Sequence, residues 1–338
     1  MKIRFQLNVL VNKKDDNQAD GYVTNGNHSF VAYVLREIDN ARNRGSFSTA
    51  ANYNTAIKSL LKYLGCKDIK VKDISQEMLE NYQKWLLRRN VSLNTISCYM
   101  RSLRSVYNRV TENSGDVFVK AFTGNTPTVK RSLSITDIQR LMMMKLPYRS
   151  RIMLTRDLFI FSFYCQGMPF IDLAFLKKSQ IEDGNIIYHR RKTGQIIHIK
   201  IEPCMESIIK KYEDKDPVYV FPILKSTDKN SPYVQYQKQL CYYNLSLKRL
   251  GRKAGLALNA RRKILSALTS YVARHTWASI AFQTNVELQT ISRAMGHTNP
   301  MTTLIYIKEL DNHYLATANR KIIMACNALT EEINDFME

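Results

Sequence analysis

The chain has 338 residues, enough for two compact domains. Hydrophobic residues make up 45% of it, and Gly and Pro occupy only 12 and 8 positions, which excludes a disordered or collagen-like chain and favours helices. Lys and Arg number 50 against 29 Asp and Glu, a formal charge of +21 spread along the sequence; a folded body with that excess repels itself unless it meets a polyanion, and nucleic acid is the expected partner.

Residues 1–27 open with the alternating stretch KIRFQLNVLV, expected as one strand, and continue as a polar arm. From Phe30 the period turns helical. In STAANYNTAIKSLLKYLG, Tyr53, Ile57, Leu60, Leu61 and Leu64 share one face, and Gly65 is the expected stop. ISQEMLENYQKWLLRRN repeats the pattern and ends in Arg88 and Arg89. In SLNTISCYMRSLRSVYNRV, Ile96, Tyr99, Met100, Leu103, Val106, Tyr107 and Val110 form an apolar stripe, with Arg101, Arg104 and Arg109 off it. Residues 28–112 therefore read as a four-helix unit with basic outer faces.

TENSGDVFVKAFTGNTPTVKRS breaks the period with Gly, Pro, Thr and Asn and ends in Lys130 and Arg131, so 113–130 is the expected linker. The second unit, 131–338, starts with a helix in LSITDIQRLMMMKL, expected to be capped by Thr136. TRDLFIFSFYCQG is an apolar helix stopping at Gly167. NIIYHRRKTGQIIHIKIE predicts a β-hairpin turning at Lys192, Thr193 and Gly194. Helices return at YQKQLCYYNLSLKRLG and run on through TSYVARHTWASIAF. The fold class is mainly α with a small β-sheet.

Cys66, Cys98, Cys165, Cys204, Cys241 and Cys326 form no C-x-x-C pair and mostly lie in apolar stretches, so free buried thiols in a reducing compartment are expected. His189, His198 and Cys204 lack zinc spacing, and no metal site is expected. The sequence shows neither a signal peptide nor an apolar run long enough for a bilayer; a cytoplasmic protein with no membrane partner is expected.

Three short segments near the C-terminus stand in a recognisable order: RHTWA from Arg274, MGH ending at His297, and TLIY ending at Tyr306. Together they resemble the tyrosine recombinase (phage integrase) family, whose catalytic domain carries R-H-[ST]-x-A, then L-G-H, then T-x-x-Y. The resemblance extends over roughly residues 28–320. It implies a helical, SAM-like core-binding domain over 28–112 and a catalytic domain with its C-terminal tail over 131–338. It also implies an enzyme that needs no cofactor. Tyr306 would be the nucleophile that forms a 3′-phosphotyrosine, Arg274 would clamp the scissile phosphate, His297 would support it, and Lys192 would be the general acid. His275 would orient Arg274 or the Tyr306 segment. The partner would be double-stranded DNA, bound through a homotetramer on two sites that passes through a Holliday junction. Arg88, Arg89, Arg101, Arg104, Lys130 and Arg131 are the expected backbone-binding residues.

The sequence departs from the family pattern twice. Where G-[LM]-R-x-x-[ED] carries an arginine, this chain reads GMPFID, with Pro169 in the arginine's place and the acidic position kept as Asp172. Where H-x-x-R-H carries its first histidine stands Tyr271, whose hydroxyl can still donate. Arg190 and Arg191, beside Lys192, offer a replacement guanidinium. In a strand their side chains point to opposite faces, so only one should reach the site, and spacing does not choose between them.

Two other readings stand beside this one. VELQTISRAMGHTNPMTTLIYI fits a helix-turn-helix, which makes a DNA-binding protein without catalysis an alternative. A type IB topoisomerase-like enzyme would use similar chemistry without synapsis. The short segment ahead of the first helical unit favours a simple recombinase such as an invertase, with a mobile-element integrase as the other choice. The tail from His313, apolar on one face, is expected to dock on a neighbouring protomer.

Overall fold

The computed structural model describes residues 27–111, 117–128, 131–256 and 268–304. The expected N-terminal strand, Lys130, Tyr306, Cys326 and the tail from His313 lie outside the described residues. The described part is helical with one small sheet, as expected, and divides into two compact units at Thr128 and Val129.

The first unit holds α1 (Phe30–Asn43), α2 (Phe47–Leu64), α3 (Gln76–Arg88) and α4 (Leu93–Val110). Serines open three of these helices. Ser29, Ser75 and Ser92 accept from the backbone N–H groups of Ala32, Met78 and Thr95, donors that a helix cannot satisfy itself. Gly65 closes α2 at φ 68°, a left-handed geometry that most side chains resist. The apolar stripes converge on a core of Phe30, Leu60, Tyr82, Ile96, Met100 and Leu103. The Tyr82 hydroxyl is satisfied inside it by donating to Ser59 Oγ at 2.7 Å. Arg109, read as an outward residue of α4, pairs with the buried Glu37 of α1.

Residues 117–126, expected as part of a linker, belong to this unit. The Phe118 ring is buried against Tyr107 in its core. The Phe122 amide donates to Gln83 Oε1, and Asn94 clamps Thr126 through both its amide oxygen and its amide nitrogen. Gly, Pro and Thr broke the helical period here without detaching the chain from the core.

The second unit comprises α5 (Ile135–Met143), α6 (Arg151–Tyr164), α7 (Phe170–Ala174), β1 (Ile181–Glu182), β2 (Asn185–His189), β3 (Ile196–Lys200), α8 (Pro203–Tyr212), α9 (Pro232–Lys253), α10 (Val272–Gln283), α11 (Leu288–Ala294) and α12 (Met301–Leu304). The cap of α5 is Ser134 rather than Thr136. Ser134 and Asp137 satisfy each other's backbone N–H in a capping box, which places Thr136 inside the first turn. Helix α6 is buried over Leu158–Ser162 on every face, because α5, α8, α9 and α10 surround it. Its buried acid, Asp157, is held by Arg156, Lys211 and the Tyr212 hydroxyl, each at 2.8 Å.

The three strands form an antiparallel sheet in the order β1-β2-β3, with Ile186 opposite Ile199 and Tyr188 opposite Ile197. These four side chains share the buried face, and the alternation leaves His189, Ile196 and His198 exposed. Among the described cysteines only Cys165 is buried; Cys98 is half-buried, and Cys66, Cys204 and Cys241 are exposed. Apolar neighbours in sequence do not say which way a residue on a one-sided helix faces, and the expectation of buried thiols fails for that reason. Among the described residues no helix is long and apolar enough to cross a membrane.

Candidate active site

Four short segments of the second unit converge. They are the loop after α6, the β2–β3 turn, the first turns of α10, and the turn that follows α11. Two glycines allow the approach. Gly167 has φ +71°, and a Cβ there would fall 2.6 Å from the Arg274 Cα, a distance no neighbour can accommodate without backbone movement. Gly296 has φ +63°, and a Cβ there would meet Ile197 Cδ1 at 2.9 Å and Arg190 Cδ at 3.0 Å.

Arg274 projects from the first turn of α10 and is only 2% exposed. Its guanidinium donates to Gly167 O at 3.0 Å and to Met295 O at 2.5 Å, and it lies 3.0 Å from His297 Nε2. A guanidinium has only donors, so His297 Nε2 accepts. The ring proton is therefore on Nδ1, which donates to Thr303 Oγ1 at 2.9 Å. This is a neutral imidazole held at both nitrogens. Burial pushes the His297 pKa down to about 4, and the charges of Arg274, Arg190 and Lys192 push in the same direction.

Arg190 and Arg191 have parted company. Both lie beyond the end of β2, so strand alternation does not govern them. Arg190 is 3% exposed and donates to Gly296 O at 2.5 Å, on the carbonyl next to the one Arg274 holds. Its backbone also closes the turn, accepting from Thr193 and Gly194 and donating to Gln195 O. Arg191 is exposed, with its guanidinium 3.7 Å from the centre of the Phe175 ring. Its amide donates to Asp172 Oδ1 at 3.0 Å. Asp172 is buried, and burial raises its pKa despite the nearby arginines. Lys192 is exposed at the tip of the same turn.

Pro169 begins α7 as its N-cap and brings no donor side chain. Tyr271 is the N-cap of α10, 41% exposed, and its ring centre is 5.8 Å from that of His275, which is half-buried. Arg274, His297, Arg190 and the Lys192 turn are thus brought together. Sequence reasoning missed Thr303, which fixes the histidine tautomer, and the obligatory role of Gly167 and Gly296. Composition gave no signal for the two glycines: Gly45, Gly65, Gly184, Gly194 and Gly255 also have positive φ but open space where a Cβ would sit, so only close approach in three dimensions sets Gly167 and Gly296 apart from them. In the first unit, Arg88, Arg89 and Arg101 are exposed and Arg104 is half-buried; Arg89 stacks on the Trp85 ring at 4.8 Å. Arg131, in the second unit, is exposed.

Two family models match the chain. Residues 29–113 match the phage integrase SAM-like domain, and residues 132–313 match the phage integrase family. The chain belongs to the phage integrase family, the tyrosine recombinases. As a tyrosine recombinase it is an enzyme of site-specific recombination. A tyrosine recombinase from Pseudothermotoga lettingae is 23% identical over 289 residues, covering 82% of this chain and 93% of that protein. A lambda integrase dimer bound to a COC′ core site shares the fold with a TM-score of 0.62 at 15% identity, covering 84% of this recombinase and 97% of that chain. A lambda integrase tetramer bound to a Holliday junction matches with a TM-score of 0.60 at 13% identity, covering 84% and 79% of the two chains.

Proposed function

We propose that this recombinase cuts and rejoins double-stranded DNA through a phosphotyrosine on Tyr306. The Tyr306 hydroxyl oxygen attacks phosphorus and loses its proton to solvent. The bond from phosphorus to the 5′-oxygen breaks, and that oxygen leaves with the electron pair and takes a proton from Lys192. The strand is left joined through its 3′-phosphate to Tyr306. The energy of the broken ester is stored in the new one, so rejoining needs no cofactor. Arg274 binds a non-bridging oxygen as the charge on phosphorus builds, with His297 beside it.

The observation that carries this reading is the buried, preorganised clamp: an arginine with 2% exposure, fixed on two backbone carbonyls next to a neutral imidazole. His275 and Tyr271, whose rings meet at a tilt of 58° at the start of α10, act as supports for the Arg274 segment. Residues 28–112 act as a core-binding domain and 131–338 as the catalytic domain, with the N-terminal arm of 1–27 ahead of them. Arg88, Arg89, Arg101, Arg104, Lys130 and Arg131 contact the phosphate backbone, consistent with the charge of +21. A homotetramer on two DNA sites, formed in the cytoplasm and exchanging tails beyond His313, completes the reading. Its outcome is integration or inversion. Deleting residues 325–338 should abolish tetramers on DNA while leaving single-site binding.

The test is covalent trapping in cells. Wild type and Tyr306→Phe are expressed, the lysates are denatured, the protein is recovered and attached DNA is sequenced. Adducts with the wild type alone support the reading, and their sequences give the target site and separate integration from inversion. Pro169 favours a second reading, a DNA-binding protein without cleavage. Native pulldown that recovers DNA, with no adduct even on a nicked duplex that traps the intermediate, would select it.

A further inference from the structure

We infer that Arg190, on the β2–β3 turn, supplies the second phosphate-binding guanidinium that Pro169 cannot. The inference rests on the proposed position of the scissile phosphate against Arg274. Four observations converge on it.

Arg274 and Arg190 donate to adjacent carbonyls, Met295 O and Gly296 O, each at 2.5 Å. The two cations therefore flank the same turn, which carries His297. Arg190 is 3% exposed yet forms no ion pair among the described residues, and its Nε has no hydrogen-bond partner among them. Asp172 lies near enough to be felt electrostatically but forms no ion pair with Arg190, so the buried cation is only partly compensated; of its five N–H donors, one is engaged among the described residues. An anion at this point would be taken up by donors already desolvated and aimed. Finally, Gly296 makes room for the stem of Arg190, because a Cβ at that position would come within 3.0 Å of its Cδ. Arg191, the rival in the sequence, turns away onto Phe175.

The ligand class is a phosphodiester oxygen anion. The reacting group is unchanged, and Arg190 adds one or two charge-assisted N–H···O bonds to a non-bridging oxygen. The clamp is then assembled from a hairpin instead of from the loop after α6. The hairpin turn delivers both the phosphate ligand and, two residues on, the proposed acid Lys192.

The test uses the full-length protein and a nicked duplex carrying the sequence recovered from the wild-type adduct. The duplex is made twice, with an ordinary scissile phosphate and with a neutral methylphosphonate. On the phosphate, Arg190→Ala should form adduct ~100-fold or more slower than wild type, and Arg191→Ala should stay within about 3-fold. On the methylphosphonate, with less charge to neutralise, the Arg190→Ala deficit should shrink by about 10-fold or more. A deficit of the same size on both duplexes, or an Arg190→Ala rate near wild type, would overturn the inference. If Arg190→Ala does not fold, Arg190→Lys decides by the same pair of duplexes, since it keeps the charge and loses the fork. Failure of the wild type itself to form adduct would instead count against the recombinase reading, because the wild type carries Tyr306 and both arginines intact.

Discussion

Arg274 holds His297 in one tautomer: its guanidinium donates to Nε2 at 3.0 Å, and Nδ1 is left to donate to Thr303. Two consequences can be measured. The pKa of His297 is lowered to about 4 from 6.5, so between those values the unfolded chain binds a proton that the folded chain refuses. Stability should therefore be full above pH 6.5 and fall as the pH drops towards 4. At about 1.4 kcal/mol per pKa unit the loss is up to about 3 kcal/mol. Denaturant unfolding of wild type and His297→Asn across pH 4 to 7 reads the difference, which also cancels the opposite trend from Asp172. A parallel pH dependence in the two proteins would remove His297 as the cause.

Gly167 and Gly65 both adopt positive φ, but only one is crowded. Nothing lies within 4 Å of a Cβ built on Gly65, while one built on Gly167 strikes the Arg274 backbone at 2.6 Å. Gly65→Ala should thus cost only the left-handed strain, about 1 kcal/mol. Gly167→Ala should cost about 2 kcal/mol more and shift Arg274, so adduct formation should be lost with it. Equal destabilisation by the two substitutions would mean that the approach of the α6 loop to α10 is looser than the distance indicates.

Much of this architecture was legible in the residues. The apolar stripe of α4 predicted the burial of Ile96, Met100, Leu103, Val106 and Val110, because one-sided burial imposes the helical period directly. The hairpin was legible for the same reason: Ile186, Tyr188, Ile197 and Ile199 alternate with residues that face out. RHTWA and MGH marked Arg274 and His297 as a pair, and the structure places their side chains 3.0 Å apart. What the sequence withheld depends on three-dimensional approach. Arg190 and Arg191 are identical in type and adjacent, and only the end of β2 at His189 decides which is buried. Thr303 is an ordinary threonine until the turn at 295–297 brings an imidazole to it. The two-residue strand β1 is too short to carry any period.

Phe118 offers a test of where the first unit ends. It is 1% exposed and packs edge-on against Tyr107, in a segment whose composition reads as a loop. Phe118→Ala should destabilise the first unit by about 3–5 kcal/mol, a core-sized effect. A fragment of residues 27–128 should unfold cooperatively, and one ending at 112 should melt well below it. Fragments with the same melting temperature would show that 117–128 adds nothing to the fold.

The proposed acid can be separated from the phosphate ligands by changing the leaving atom. Lys192 is exposed at the tip of the turn whose base is Arg190, so its ammonium is free to swing, while Arg190 is fixed by its Gly296 contact. A 5′-oxygen leaves as a strongly basic alkoxide and needs a proton in the transition state. A 5′-sulfur leaves as a far weaker base and does not. Lys192→Ala should therefore form adduct about 100-fold or more slower on an ordinary nicked duplex. It should come close to the wild-type rate on a duplex with sulfur at the bridging position. Arg274→Ala should fail on both, because stabilising charge at the non-bridging oxygens matters whichever atom departs. Rescue of Arg274→Ala by sulfur, or no rescue of Lys192→Ala, would exchange or remove the roles assigned to these two residues.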